Sequence, residues 1–354
     1  MMNCSWFCPQ CGFKDKITNR YYWRCPLCGS PIDLNYKPVY ELGSKGLDRF
    51  RGLLPFTPTK YIGEGETKNV IEKIDGVEVL FKLEYMNPSG SFKDRGTSLT
   101  ISYAHFMGFK DVVEDSSGNT GISVALYSKV YGLRSRIVIP LTTSKAKKCI
   151  IKMLGSEVTE VPTRKDAAEY VLSLVDRYFY VGHTWNPLYI YGSTTISFEV
   201  YEECGVPDVV IIPTGSGGLL LGILRGFETL RKIGRNLKIP KPIAVQGYSV
   251  QPVFKAVKGF EEVGESSNLA EGIMVPNPPR LNEIKDYITK YRGDVVLVGN
   301  SEIVKAMEEL MSMGFIIEPT SATAYAAFKK YKDRFRGLRV LVVLTGSGLK
   351  FCMD

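Results

Sequence analysis

Two hydrophobic periods alternate along the chain. Short runs rich in Val, Ile and Leu are separated by segments whose apolar residues return every three or four positions. "VEVLFKLE" precedes "DRGTSLTISYAHFM", which as a helix would place Leu99, Tyr103 and Phe106 on one face. "DVVEDSSGNT" turns into "GISVALYSKVYG", which stops at Gly132. "SRIVIP", "SKAKKCIIKMLG", "SEVTEV" and "KDAAEYVLSLVDRY" continue the series. "PDVVIIPTGSGG" then opens "LLLGILRGFETL", and "KPIAVQGY" follows. "DVVLVGN" leads into "SEIVKAMEELMSMG" and "SATAYAAFKKY", and "RVLVVLTGSG" closes the pattern. β-Branched runs alternating with helices of about 10–15 residues predict an α/β fold, with parallel sheets covered by helices on both faces. Ligands of such folds lie beyond the carboxyl ends of strands. The turns "SSGNT", "TGSGG" and "TGSG" all fall there.

Each of these turns carries candidate chemistry. In "PTGSGGLLLG", Gly215, Ser216, Gly217 and Gly218 open a helix, and bared amides at a helix start suit a phosphate. The stretch is neither a Walker loop nor G-x-G-x-x-G, so it does not point to a nucleotide. In "SSGNTG", the hydroxyls of Ser116, Ser117 and Thr120 and the amide of Asn119 suit a carboxylate, although a plain N-cap would look the same. "PSGSFKDRGTS" sets Lys93 between a Gly-Ser turn and a charged helix start.

The cysteines add a separate element. "CPQCG" (Cys8, Cys11) and "CPLCG" (Cys25, Cys28) form two knuckles, and four thiolates match a closed tetrahedral zinc site. Cys4 is a spare candidate; the isolated Cys149, Cys204 and Cys352 read as buried small hydrophobes. A disulfide or redox reading fits poorly with a reducing compartment.

Composition narrows the function classes. The chain has 354 residues, 44% hydrophobic and 23% charged, which is ordinary for a globular protein. No apolar run approaches the roughly 20 residues that span a bilayer, and "MMNCSWFCPQ" lacks a secretory h-region. The expectation is a cytoplasmic protein without membrane contact. Its net charge of +8 is spread along the chain, which argues against nucleic acid and suits a small anionic substrate. There are only two histidines, His105 and His183. That speaks against Ser-His-Asp chemistry and a His-rich metal site, and for a phosphate-anchored cofactor bonded to a lysine. His105, in an apolar helix, reads as a packed side chain.

"PSGSFKDRG", "SSGNT", the glycine turn, "EPTSA" (Glu318 to Ala322) and "TGSGLK" stand in the order found in threonine synthases, and "GEGET" (Gly63 to Thr67) and the cysteine knuckles fit too. The chain resembles that family of tryptophan-synthase-like, fold type II pyridoxal-phosphate (PLP) enzymes over essentially its whole length. The resemblance implies that Lys93 bonds the cofactor covalently, with Phe92 beside it. Asn119 would meet the phenolic oxygen, and Gly215, Ser216, Gly217 and Gly218 the phosphate. Thr345 would sit at the pyridine nitrogen, and Ser116, Ser117 and Thr120 would hold the substrate carboxylate. It also implies a zinc ribbon over residues 1–36, a large domain of 37–105 and 195–354, a small mobile domain of 106–194, and a homodimer.

The implied activity is conversion of O-phosphohomoserine and water to threonine and phosphate. The family usually carries N-S-x-N-P-x-R-x-x-G-Q-K-T, whose first Asn and Arg grip the substrate phosphate. This chain reads "HTWNPLYIYGSTT", with His183 and Tyr189 at those two positions and Ser216 in place of another phosphate-touching Asn. A tyrosine hydroxyl cannot reproduce a bidentate, charge-assisted arginine contact. A threonine/serine dehydratase or a cysteate-synthase-like β-replacement enzyme of the same fold is therefore the alternative.

Overall fold

A computed structural model describes residues 4–351. Cys352 lies outside them. The chain opens with the short strands β1 (Ser5–Phe7), β2 (Lys14–Lys16) and β3 (Asp33–Asn35). After β4 (Asn69–Ile74) and β5 (Val77–Lys82) come α1 (Lys93–Phe106), β6 (Asp111–Glu114) and α2 (Asn119–Tyr131). There follow β7 (Arg134–Pro140), α3 (Lys145–Met153), β8 (Glu157–Val161), α4 (Arg164–Leu172), β9 (Phe179–Tyr180) and α5 (Pro187–Cys204). β10 (Val209–Pro213), α6 (Gly218–Lys232), β11 (Lys241–Gly247), α7 (Pro252–Lys258) and α8 (Leu281–Lys290) continue the alternation. The last elements are β12 (Asp294–Val298), α9 (Asn300–Ser312), α10 (Pro319–Lys330) and β13 (Arg339–Val343).

The chain divides into two units, one running to Gly65 and then over Lys93–Gly192, the other over Glu66–Phe92 and from Ser193 onward. In the first, β6 to β9 form a parallel four-stranded sheet in the order β8-β7-β6-β9. In the second, a six-stranded sheet runs β12-β11-β10-β13-β5-β4. It is parallel except for β4, which closes one edge as a hairpin with β5 through the left-handed Asp75 and Gly76. Strands β10, β11 and β13 are buried almost throughout, as sheets covered on both faces require.

This division differs from the sequence-based one. Helix α1 belongs with the first unit because it packs on α2, where Ser123 Oγ donates to Asp94 at 2.5 Å. The ribbon belongs there as well, since its apolar residues are one core with that unit. Trp6 is fully buried and meets Tyr103 edge-on, and the Tyr103 hydroxyl donates to the Ile17 carbonyl at 2.6 Å. Tyr21 stacks on Phe179 with ring centroids 3.9 Å apart.

Some smaller expectations fail. His105 and Phe106 are exposed at the end of α1, although their rings meet those of Tyr131 and Phe56 with centroids 5.5 and 5.8 Å apart. Cys149 is exposed on α3 and Cys204 half-buried, so neither is a core residue.

Candidate active site

In the second unit, three neighbouring strands deliver their carboxyl ends side by side. β10 leads into the glycine turn, its neighbour β13 leads to Thr345, and β5, next to β13, leads toward Phe92. The Phe92 amide donates to the Thr345 carbonyl at 3.0 Å, so Lys93, the next residue, starts α1 one peptide beyond that anchor. The turn's glycines are required locally. A Cβ on Gly215 would lie 2.9 Å from the Gly272 carbonyl oxygen, and Gly217 has φ of +83° with Ile284 against it. Around Gly218, the first residue of α6, nothing lies within 4 Å of where a Cβ would be. An open, glycine-lined helix start of this kind accepts an anion.

Thr345 supplies the sharpest local test of the cofactor. Its hydroxyl is buried without a hydrogen-bond partner among the described residues. Such a group costs about 1–3 kcal/mol in a folded protein unless a ligand meets it. A pyridine nitrogen is an acceptor or donor of suitable chemistry, so Thr345 and the glycine turn of this unit fit PLP.

In the first unit, β6 ends at Glu114 and feeds Asp115 and the Ser116–Thr120 turn, and α2 starts at Asn119 with Gly118 as its cap. Ser116, Ser117 and Asn119 are half-buried and Thr120 buried. Gly121 is needed because a Cβ there would strike the Ser116 carbonyl. The strand next to β6, β9, ends at Tyr180 and leads to His183. The two strand ends thus bring His183 Nδ1 to 2.5 Å from Glu114 Oε1. Glu114 is fully buried, and its Oε2 has no hydrogen-bond partner among the described residues. Burial pushes this carboxyl up to about 8 against the opposing effect of the Lys93 charge and nearby amides. Burial also presses His183 down to about 3, and the Lys93 charge adds to this. Asp115, raised to about 6 by burial and by Glu114, accepts from the Tyr180 hydroxyl at 2.9 Å.

Tyr189 does not reach outward as a phosphate-gripping arginine would. It is buried, and its hydroxyl shares a 2.6 Å hydrogen bond with Thr97 on α1. Its ring covers Gly96, where a Cβ would collide with it. One turn on, Gly192 touches the Arg95 carbonyl so closely that no side chain fits. Sequence reasoning passed over Glu114 and Asp115. The available signal was two acids ending an apolar strand immediately before a Ser-Gly turn.

Cys8, Cys11, Cys25 and Cys28 converge with their sulfurs all within 4.8 Å of one another, an arrangement that can hold a metal ion. Among these crowded sulfurs, hydrogen bonds from the Ser30 side chain and amide lower the Cys28 thiol to about 6, whereas burial raises Cys8, and burial with the neighbouring thiols raises Cys11.

The fold, the glycine turn and the orphaned hydroxyl fit an enzyme that works through PLP. A family model described as "Pyridoxal-phosphate dependent enzyme" matches residues 64–346, and the chain belongs to that family. Within it the chain is similar to threonine synthases. It is 31% identical to the one from Methanocaldococcus jannaschii over 97% of this chain and 92% of the relative. To that of Synechocystis sp. it is 30% identical, over 86% of this chain and 82% of the relative. Among solved structures, maize serine racemase matches in fold with a TM-score of 0.69 at 24% identity, covering 80% of this chain and 88% of that one. No helix among the described residues is long and apolar enough to cross a membrane.

Proposed function

We propose that this chain is a threonine-synthase-type lyase that converts O-phosphohomoserine and water to threonine and phosphate. The observation that carries this reading is the likeness to threonine synthases, which extends over 97% of this chain and 92% of one relative. In this reading Lys93 bonds the cofactor, Phe92 lies beside it, Asn119 meets its phenolic oxygen, residues 215–218 take its phosphate and Thr345 meets its ring nitrogen. Bound PLP supplies an electron sink for charge developing next to the substrate's α-carbon. Lys93 Nζ is then the base that moves the α-proton, and Ser116, Ser117 and Thr120 orient the substrate carboxylate. A hydroxyl at the ring nitrogen, unlike a carboxylate, leaves that nitrogen free of an enforced proton. Zinc held by the four cysteines, a homodimer and a cytoplasmic location belong to the same reading.

The test is incubation of holoenzyme with O-phosphohomoserine. Equal amounts of threonine and phosphate are expected, and no phosphate release would reject the reading. Borohydride reduction and peptide mapping should find the cofactor on Lys93, and a label elsewhere would reject that assignment.

A second reading is supported by the hydrogen bonds of the two altered positions, His183 to Glu114 and Tyr189 to Thr97. Both side chains are engaged with the protein, as they would be in a dehydratase or β-replacement enzyme whose substrate carries no distal phosphate. Release of 2-oxobutanoate from threonine, with phosphohomoserine inert, would favour it.

A further inference from the structure

We infer that Glu114 and His183 form a single neutral unit sharing one proton beside Lys93, and that this unit is the second acid–base group of the reaction. The inference rests on the lyase reading above. Three geometric facts support it. The two side chains stand 2.5 Å apart at the ends of adjacent parallel strands. Glu114 is fully enclosed, where an isolated carboxylate is costly. Its second oxygen, Oε2, has no hydrogen-bond partner among the described residues and is the atom left to meet a substrate.

Burial outweighs the charged groups around the pair and sets a neutral state. Lys93 on α1 opposes a proton on His183 and favours the Glu114 carboxylate, while Asp115 acts on His183 in the other sense. Tyr21 of the ribbon, Tyr180 and Tyr189 also lie within range of Glu114, and burial raises all three hydroxyls far above neutrality, so they carry no charge. With Glu114 raised and His183 depressed, the pair keeps its proton through neutral pH. Whether that proton lies nearer Oε1 or Nδ1, the net charge is zero.

The overall reaction can run through one such relay. As the C–O bond to phosphate breaks, its electron pair leaves with the oxygen, which takes the proton from Glu114. As water adds and its oxygen bonds to carbon, the Glu114 carboxylate takes the surplus proton. The proton gained by phosphate thus comes from water, and the pair returns to its starting state. Three oxygens of a departing phosphate carry charge, so an uncharged donor also avoids repelling the substrate.

The experiment uses apoprotein labelled with 15N-histidine and carrying His105→Gln, which leaves His183 as the sole histidine. Its ring shifts should stay constant from about pH 5 to 7 and step near pH 8, as the pair loses its proton. Glu114→Gln should abolish the step. An ordinary titration of His183 near pH 6.5 would overturn the inference, as would a step that survives in Glu114→Gln. In holoenzyme, kcat/KM for phosphohomoserine should fall about tenfold per pH unit above 8 in the parent and not in Glu114→Gln, whose rate at neutral pH should drop at least tenfold. An unchanged profile in that variant would overturn the catalytic role. The NMR result does not depend on the substrate, so failure of the lyase reading would leave the shared proton standing.

Discussion

Restoring an arginine at position 189 tests whether this pocket has been rebuilt around something other than a phosphate grip. Tyr189→Phe removes only the hydroxyl, leaving Thr97, which is fully buried, without that 2.6 Å partner. An abandoned buried hydroxyl costs about 1–3 kcal/mol. Tyr189→Arg removes the same bond, withdraws the ring from Gly96 and places a guanidinium in an enclosed site where the nearby carboxyl, Glu114, is already bonded to His183. An unpaired buried charge adds several kcal/mol. The most an arginine–phosphate bond returns is about 1.5–3 kcal/mol, or roughly 10- to 150-fold in binding. The cost therefore exceeds the gain. Denaturant unfolding should place Tyr189→Phe about 1–3 kcal/mol below the parent and Tyr189→Arg lower still, and kcat/KM for phosphohomoserine should not rise in either. A Tyr189→Arg enzyme within about 1 kcal/mol of the parent, with kcat/KM raised tenfold or more, would refute this reasoning.

Thr345→Val should weaken PLP binding to apoprotein by about 2- to 10-fold in a fluorescence titration, the range of one net hydrogen bond of about 0.5–1.5 kcal/mol. Apoprotein stability should not fall, because the hydroxyl has no partner to lose; a loss above about 1 kcal/mol would contradict that. Metal analysis of fresh protein should give one zinc per chain, and less than half an equivalent would count against the ribbon assignment. Tyr21→Phe, which removes a 2.5 Å bond to the Tyr180 carbonyl and a 3.3 Å bond from Asn186, should disturb the His183 ring signals while leaving the zinc in place. For stability against pH, the raised Glu114 contributes fully below about 4.5 and loses its contribution as pH rises through about 8. The depressed His183 contributes above 6.5 and loses its contribution as pH falls toward about 3, so the two leave a plateau near pH 4.5–6.5. Glu114→Gln should remove the alkaline decline alone in urea unfolding at pH 6 and 9.

Much of the fold was legible because covered parallel strands are written as unbroken β-branched runs. β10 and β13 stand out in this way, and the glycine turns after them carry their own chemistry. Helix α5 was not legible. It is enclosed on all sides from Pro187 to Val200, so its sequence has no polar face to mark a helical period. The docking of the ribbon was hidden for another reason. Trp6, Tyr21 and Tyr103 are far apart in sequence, and only the folded chain makes them one aromatic cluster. Lys93 and the four cysteines could be picked out as local motifs. Glu114 carries only the weak local signal of an acid ending an apolar strand, because its role depends on which strand lies next to β6.

That dependence explains why the altered residues have to be considered together. In the proposed reading, a carboxylate just before the turn assigned to the substrate's own carboxylate would repel a doubly charged phosphate ester. At about 5 Å and an effective dielectric of about 20, each pair of like charges costs about 3 kcal/mol. His183 removes this penalty by holding a proton with Glu114, so histidine at that position is the partner of the acid rather than a lost phosphate ligand. It follows that putting back the family's asparagine alone should harm the site. His183→Asn leaves Glu114 enclosed without its 2.5 Å partner, whereas His183→Asn with Glu114→Ala removes both halves. The double-mutant cycle, read on apoprotein stability at pH 7, should show a coupling of about 1–3 kcal/mol, with the double variant less impaired than the sum of the singles. Simple additivity would mean that the two residues titrate and act independently, and the shared proton would have to be abandoned.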